Sequence, residues 1–230
     1  MTIFKRLFDT IFPRQCAMCE HRLTPTEAYV CTMCKSQLVP TGDHLSPLDN
    51  PTARLYWGQV DVERVVAIYK YSPSTPLAIA IHKLKYMNRP EIGEMLGAFV
   101  ARKLATHGFF DDIDLIIPLP LHKRREHERG YNQSYHIAHG IKTICHLPLR
   151  SDIVVRTRYT QSQTTLSHGQ RIHNVDGAFL LHKPDAIKGR HILLVDDIIT
   201  TGASTISCIR AICQQSDVKV SIVSLGHTCD

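Results

Sequence analysis

Residues 191–205, HILLVDDIITTGAST, limit the fold more than any other stretch of the chain. Leu193, Leu194 and Val195 form an apolar run without polar alternation, and Ile198 and Ile199 follow two carboxylates, Asp196 and Asp197. Such a run is a strand buried on both faces, as in a parallel sheet. The next residues are hydroxyls, glycine and alanine, and they open TGASTISCIRAICQQ (201–215), which has helical spacing. VKVSIVSLG (218–226) is again a strand. Strand, short turn, helix and strand make a parallel unit, and ligands of such sheets bind at the carboxyl ends of the strands.

The upstream sequence repeats this alternation. VDVERVVAIYKY (60–71) reads as a strand and TPLAIAIHKLKYM (75–87) as a helix opening at Pro76. PEIGEMLGAFVARKLATHG (90–108) is a helix with proline near its start and glycine past its end. DLIIPLP (114–120) is a short buried strand, and RGYNQSYHIAHGIKTICH (129–146) is helical. DIVVRTR (152–158) and GAFLL (177–181) read as strands. The expected fold class is α/β, a mainly parallel sheet with helices on both faces. PTGDHLSPLDNPTARLYWG (40–58) is rich in turn formers and reads as a linker. The expected division is therefore 1–50 for an N-terminal module with its linker and 51–230 for the α/β domain.

Of the 230 residues 43% are hydrophobic and 21% charged, enough for a sizeable core. The net charge of +6 favours anionic partners without choosing between nucleic acid and phosphorylated metabolites. No apolar run approaches the roughly 20 residues of a membrane span. The N-terminus is apolar at Ile3, Phe4, Leu7, Phe8, Ile11 and Phe12, a helical spacing expected to dock on the protein's own body, the alternative being a membrane surface or a partner. Its charges come too early for a signal peptide, so eight cysteines point to a reducing compartment, the cytoplasm.

Four of those cysteines form two CxxC pairs, Cys16–Cys19 and Cys31–Cys34, eleven residues apart. Two such knuckles can place four thiolates tetrahedrally around one structural Zn²⁺. The competing arrangements are four reduced, buried cysteines or two disulfides.

Asp196 and Asp197 stand at the end of their strand, beside a turn suited to phosphate. Unpaired N–H groups at a helix start bind phosphate, and Gly202 lets the backbone approach it. Thr200, Thr201, Ser204 and Thr205 add hydroxyl donors. The carboxylates would repel the same phosphate, so they suit ribose hydroxyls, which donate. No GKS or GKT follows the glycine, so the turn is not a P-loop. The stretch closely resembles the phosphoribosyl pyrophosphate (PRPP) motif of type I phosphoribosyltransferases. That resemblance implies Asp196 and Asp197 on the ribose hydroxyls. It implies Thr200, Thr201, Gly202, Ala203, Ser204 and Thr205 around the 5-phosphate. After DLIIPLP, the segment LHKRREHERGYNQS places Lys123, Arg124, Arg125 and Arg129 near a strand end. A loop of four cations there could neutralise pyrophosphate and its Mg²⁺.

The order of motifs is double CxxC, IHKLKYMNRPEIGEMLG, PLPLHKRREHERGYNQS, RTRYTQSQTTLSHGQRIHNVDGAF and LLVDDIITTGAST. Over essentially the whole chain it resembles the ComF/GntX family of competence-associated proteins. The resemblance implies a type I phosphoribosyltransferase fold behind a small zinc module. It also implies a role in natural transformation, handling incoming single-stranded DNA alongside other components of the uptake machinery. One departure is that His122, Glu126, His127 and Glu128 dilute the charge of the pyrophosphate loop.

Two functions follow from these residues. As a DNA-handling protein, the chain would use Lys83, Lys85, Arg89, Arg124 and Arg125 along a phosphodiester backbone, with Tyr86 or Tyr131 for stacking. As a phosphoribosyltransferase, it would pass phosphoribose from PRPP to an amine or nucleobase, with Mg²⁺ on the leaving pyrophosphate. The segment 159–175, with Gln163, Arg171 and Asn174, would close over that reaction. The resemblance favours DNA handling.

Overall fold

The structure is a computed structural model that describes residues 13–158, 177–214 and 217–228. The expected N-terminal helix and the segment 159–175 lie outside the described residues. Four strands, β1 (Arg64–Tyr71), β2 (Leu115–Pro118), β5 (His191–Ile199) and β6 (Lys219–Thr228), form one parallel sheet in the order β1-β6-β5-β2. Pro118 stands opposite Val195, Val195 opposite Val223 and Tyr69 opposite Gly226. The helices are α1 (Thr32–Ser36), α2 (Pro76–Tyr86), α3 (Pro90–Ala105), α4 (Lys123–Arg129), α5 (Gln133–Cys145) and α6 (Ala203–Ile212).

Alternation along each strand divides the apolar side chains between two cores. Leu193 and Val195 join Val66, Ile68, Val223 and Leu225 under α2, α3 and α5. Ile192 and Leu194 join Val65, Val220 and Ile222 under α6, whose Ile206, Ile209 and Ile212 face them. The expected mainly parallel sheet with helices on both faces is therefore present, and this is the architecture that the phosphoribosyltransferase resemblance implied. On the first face α3 and α5 cross backbone to backbone. A Cβ on Gly97 would lie 2.0 Å from the Ile137 carbonyl oxygen, and one on Gly140 2.1 Å from that of Glu94. The four cysteines' module shares this face: Cys16, Val30 and Leu38 belong to the same core as Val66 and Leu225.

Three local expectations change. The strands expected at 152–158 and 177–181 are β3 (Val154–Arg156) and β4 (Phe179–Leu181), an antiparallel pair outside the main sheet. Each fully buries only its first residue, so neither needs a position covered on both faces. The single helix expected over 129–146 is broken. Gly130 sits at φ 87° and closes α4, and the Asn132 side chain then accepts from Ser134 N to start α5. The cationic loop is thus largely the helix α4, started by His122 Nδ1 accepting from Arg124 N at 3.2 Å.

The stretch 40–58 is packed rather than a free linker. Asp43 Oδ2 accepts from Ala67 N (3.1 Å) and from Thr52 Oγ1 (2.6 Å), and Asn50 Nδ2 donates to Val65 O at 2.9 Å. These side chains satisfy backbone groups of β1 on the side away from β6, where no further strand of the main sheet lies among the described residues.

Candidate functional site

β5 carries the two carboxylates to the carboxyl edge of the sheet, and because strand neighbours alternate they leave on opposite faces. Asp197 follows Leu193 and Val195 toward α2, where Lys85 Nζ lies 2.7 Å from its Oδ2. Burial works most strongly against the ammonium, but the charge and hydrogen bond of Asp197 and the charge of Asp196 together outweigh it and hold the Lys85 pKa above its ordinary value. Asp196 accepts from Asp197 N at 2.8 Å and from Ser134 Oγ at 3.3 Å. Burial, and then the charge of Asp197, raise its pKa to about 7.

The turn beyond them ends at Gly202, whose φ of 73° is left-handed and which starts α6 without a side-chain cap. The first N–H groups of α6 are therefore available to an anion, with Ala203 N donating only a long 3.4 Å bond to Thr201 Oγ1. Thr200 is exposed and Thr201, Ala203 and Ser204 are half-buried, so the turn is open to solvent. Thr205 differs from the other hydroxyls. It is buried, donates to Gly202 O at 2.8 Å and meets the Tyr56 hydroxyl at 2.7 Å. Its side chain ties the turn to Tyr56. Tyr56 comes from the stretch expected to be a linker; its full burial under the turn has no local signal in the sequence.

The cations divide into two groups. Lys83 and Arg89 both reach Glu20, at 3.2 and 2.7 Å, and Lys83 Nζ also approaches Met18 O at 3.5 Å. Glu20 directly follows Cys19, so these two side chains join α2 and the start of α3 to the cysteine knuckle. With Lys85 on Asp197, all three cations expected on DNA from this segment have acidic partners. In α4, Arg124 pairs with Glu128 at 3.0 Å and Lys123 is exposed. Arg129 bonds to Gln133 and lies over the Tyr86 ring, 5.6 Å from its centroid.

Cys16, Cys19, Cys31 and Cys34 hold their sulfurs within 4.8 Å of one another, and Cys19 and Cys31 are 3.7 Å apart. Four ligands about 2.3 Å from one zinc would be about 3.8 Å apart, so the cluster fits a structural metal such as zinc. Burial disfavours the Cys16 thiolate, yet N–H groups of Cys19, Cys31 and Met18 outweigh it and bring the pKa to about 7. Among the described residues this is the one such metal-ligating group.

A second constellation has the spacing of a hydrolase triad. His191 Nε2 is 2.8 Å from Ser221 Oγ and its Nδ1 3.2 Å from Asp112. Ser221 is fully enclosed, so the group ties together the amino ends of β5 and β6 and offers no nucleophile.

No family model matches the chain. It is 31% identical over 216 residues to DNA utilization protein YhgH of Shigella flexneri, covering 93% of this chain and 90% of that protein. The chain belongs to the ComF/GntX family. Competence protein F of Haemophilus influenzae is 32% identical to this ComF/GntX member over 133 residues, 56% of this chain and 58% of that protein. A solved glutamine PRPP amidotransferase from B. subtilis superposes with a TM-score of 0.40 and 18% identity, covering 61% of this chain and 30% of that one.

Proposed function

We propose that this ComF/GntX protein handles incoming single-stranded DNA in natural transformation, and that it keeps a PRPP-type ligand at residues 196–205. The likeness to a protein named for DNA utilization, over 93% of the chain, carries this reading. The carboxylate pair and the uncapped start of α6 support the ligand: hydroxyls for Asp196 and Asp197, a phosphate for the turn. Zinc in the four-cysteine cluster and Mg²⁺ with the pyrophosphate complete the proposal. DNA phosphates would meet Lys123, Arg124 and Arg125, with Arg124 exchanging Glu128 for phosphate as Lys83, Lys85 and Arg89 would exchange their own acidic partners.

The same ligand site favours a second reading, transfer of phosphoribose to an amine or nucleobase. Binding of labelled single-stranded DNA and of PRPP with Mg²⁺, each competed by the other, separates the two. DNA binding that weakens steeply with salt supports the first reading. Release of pyrophosphate on adding an acceptor, with no DNA binding, supports the second and ends the first.

A further inference from the structure

We propose that Tyr86 is a stacking platform for a nucleobase of the bound single strand, with Arg129 and His82 beside it; this rests on the DNA reading above. Tyr86 ends α2 and is 67% exposed, and its neighbour Met87 is 58% exposed. Arg129 lies over the ring, and the His82 ring centroid is 5.1 Å away. An exposed aromatic backed by a guanidinium suits a flat base whose phosphates need cations. Arg129, over the Tyr86 ring, also lies close enough to act on Lys85, which reaches Asp197, so the platform lies on the side of the sheet edge that carries this carboxylate.

The other aromatics fit this role less well. Tyr131 is half-buried, its hydroxyl donates to Leu84 O and its ring meets the edge of His136, so it is committed to packing. Trp57 is exposed beneath Arg54, but Arg54 pairs with Asp49, and the cleft beside Trp57 includes Asp61 and Glu63. Those acids repel a phosphodiester backbone.

The test compares an oligothymidylate with an abasic oligonucleotide of equal length, on wild type, Tyr86→Phe and Tyr86→Ala. Wild type and Tyr86→Phe should prefer the oligothymidylate by about fivefold or more, from the usual strength of one stacked base. Tyr86→Ala should bind both alike with the salt slope unchanged, because no phosphate contact is removed. A full preference retained by Tyr86→Ala overturns the platform while the DNA reading stands. Equal binding of both oligonucleotides by wild type does the same. No binding of either by wild type overturns both. Melting of the variant at the wild-type temperature excludes a folding defect.

Discussion

The two faces of the sheet treat adjacent carboxylates in opposite ways. On the face of α2, α3 and α5, Asp197 meets the Lys85 ammonium. Asp196, on the strand face turned to α6, has the Asp197 N–H and the Ser134 hydroxyl, which reaches it from the start of α5, and burial lifts its pKa to about 7. One face balances a charge with a charge, and the other suppresses it. A site so divided changes its net charge as the pH passes about 7.

The largest expected effect tests the packing of the first face. Gly97→Ala puts a methyl 2.0 Å from a carbonyl oxygen, and the helices must separate. A loss of about 3 kcal/mol in denaturant unfolding is expected. Next, Lys85→Met leaves Asp197 without its cation. Lys85 is partly exposed, so about 2 kcal/mol should be lost, less than for a fully enclosed pair. Stability equal to wild type would show that Asp197 is solvated after all.

Asp196→Asn should have the opposite sign. The native state holds the Asp196 proton up to a pKa of about 7, whereas an unfolded aspartate loses it near 3.9. Wild-type stability from this group is therefore fully present at low pH and falls as pH rises to about 7. The asparagine keeps the acceptor oxygen and avoids the charge, so the variant should gain about 2 kcal/mol at pH 8 and little at pH 4. Thermal melts at both values check it; a pH-independent difference would break the contrast between the faces. The smallest effect is Tyr56→Phe, which removes one buried hydrogen bond to Thr205 and should cost about 1 kcal/mol in the same unfolding measurement.

The strand–turn–helix around Asp196, the cysteine pairs and the helices at Pro76 and Pro90 were legible because their signals are local: apolar runs, spacing and proline. Even the divergence of Asp196 and Asp197 follows from period two. What escaped depends on distant partners. Nothing beside Glu20 announces Lys83 and Arg89, and nothing beside Tyr56 announces Thr205, 149 residues later. The break between α4 and α5 does have a local sign, Gly130 followed by Asn132, which a continuous helical pattern masks.

The place of β1 in the sheet has a consequence for synthesis. Its strand partner in the main sheet is β6, the last of the four to leave the ribosome. Until then its hydrogen bonds on that side have no protein partner, and the apolar surface it shares with the cysteine module is incomplete. The chain can collect its thiolates early but can close its sheet only once residues 219–228 have emerged. A nascent chain stalled before residue 219 should therefore remain open to proteases along its first strand.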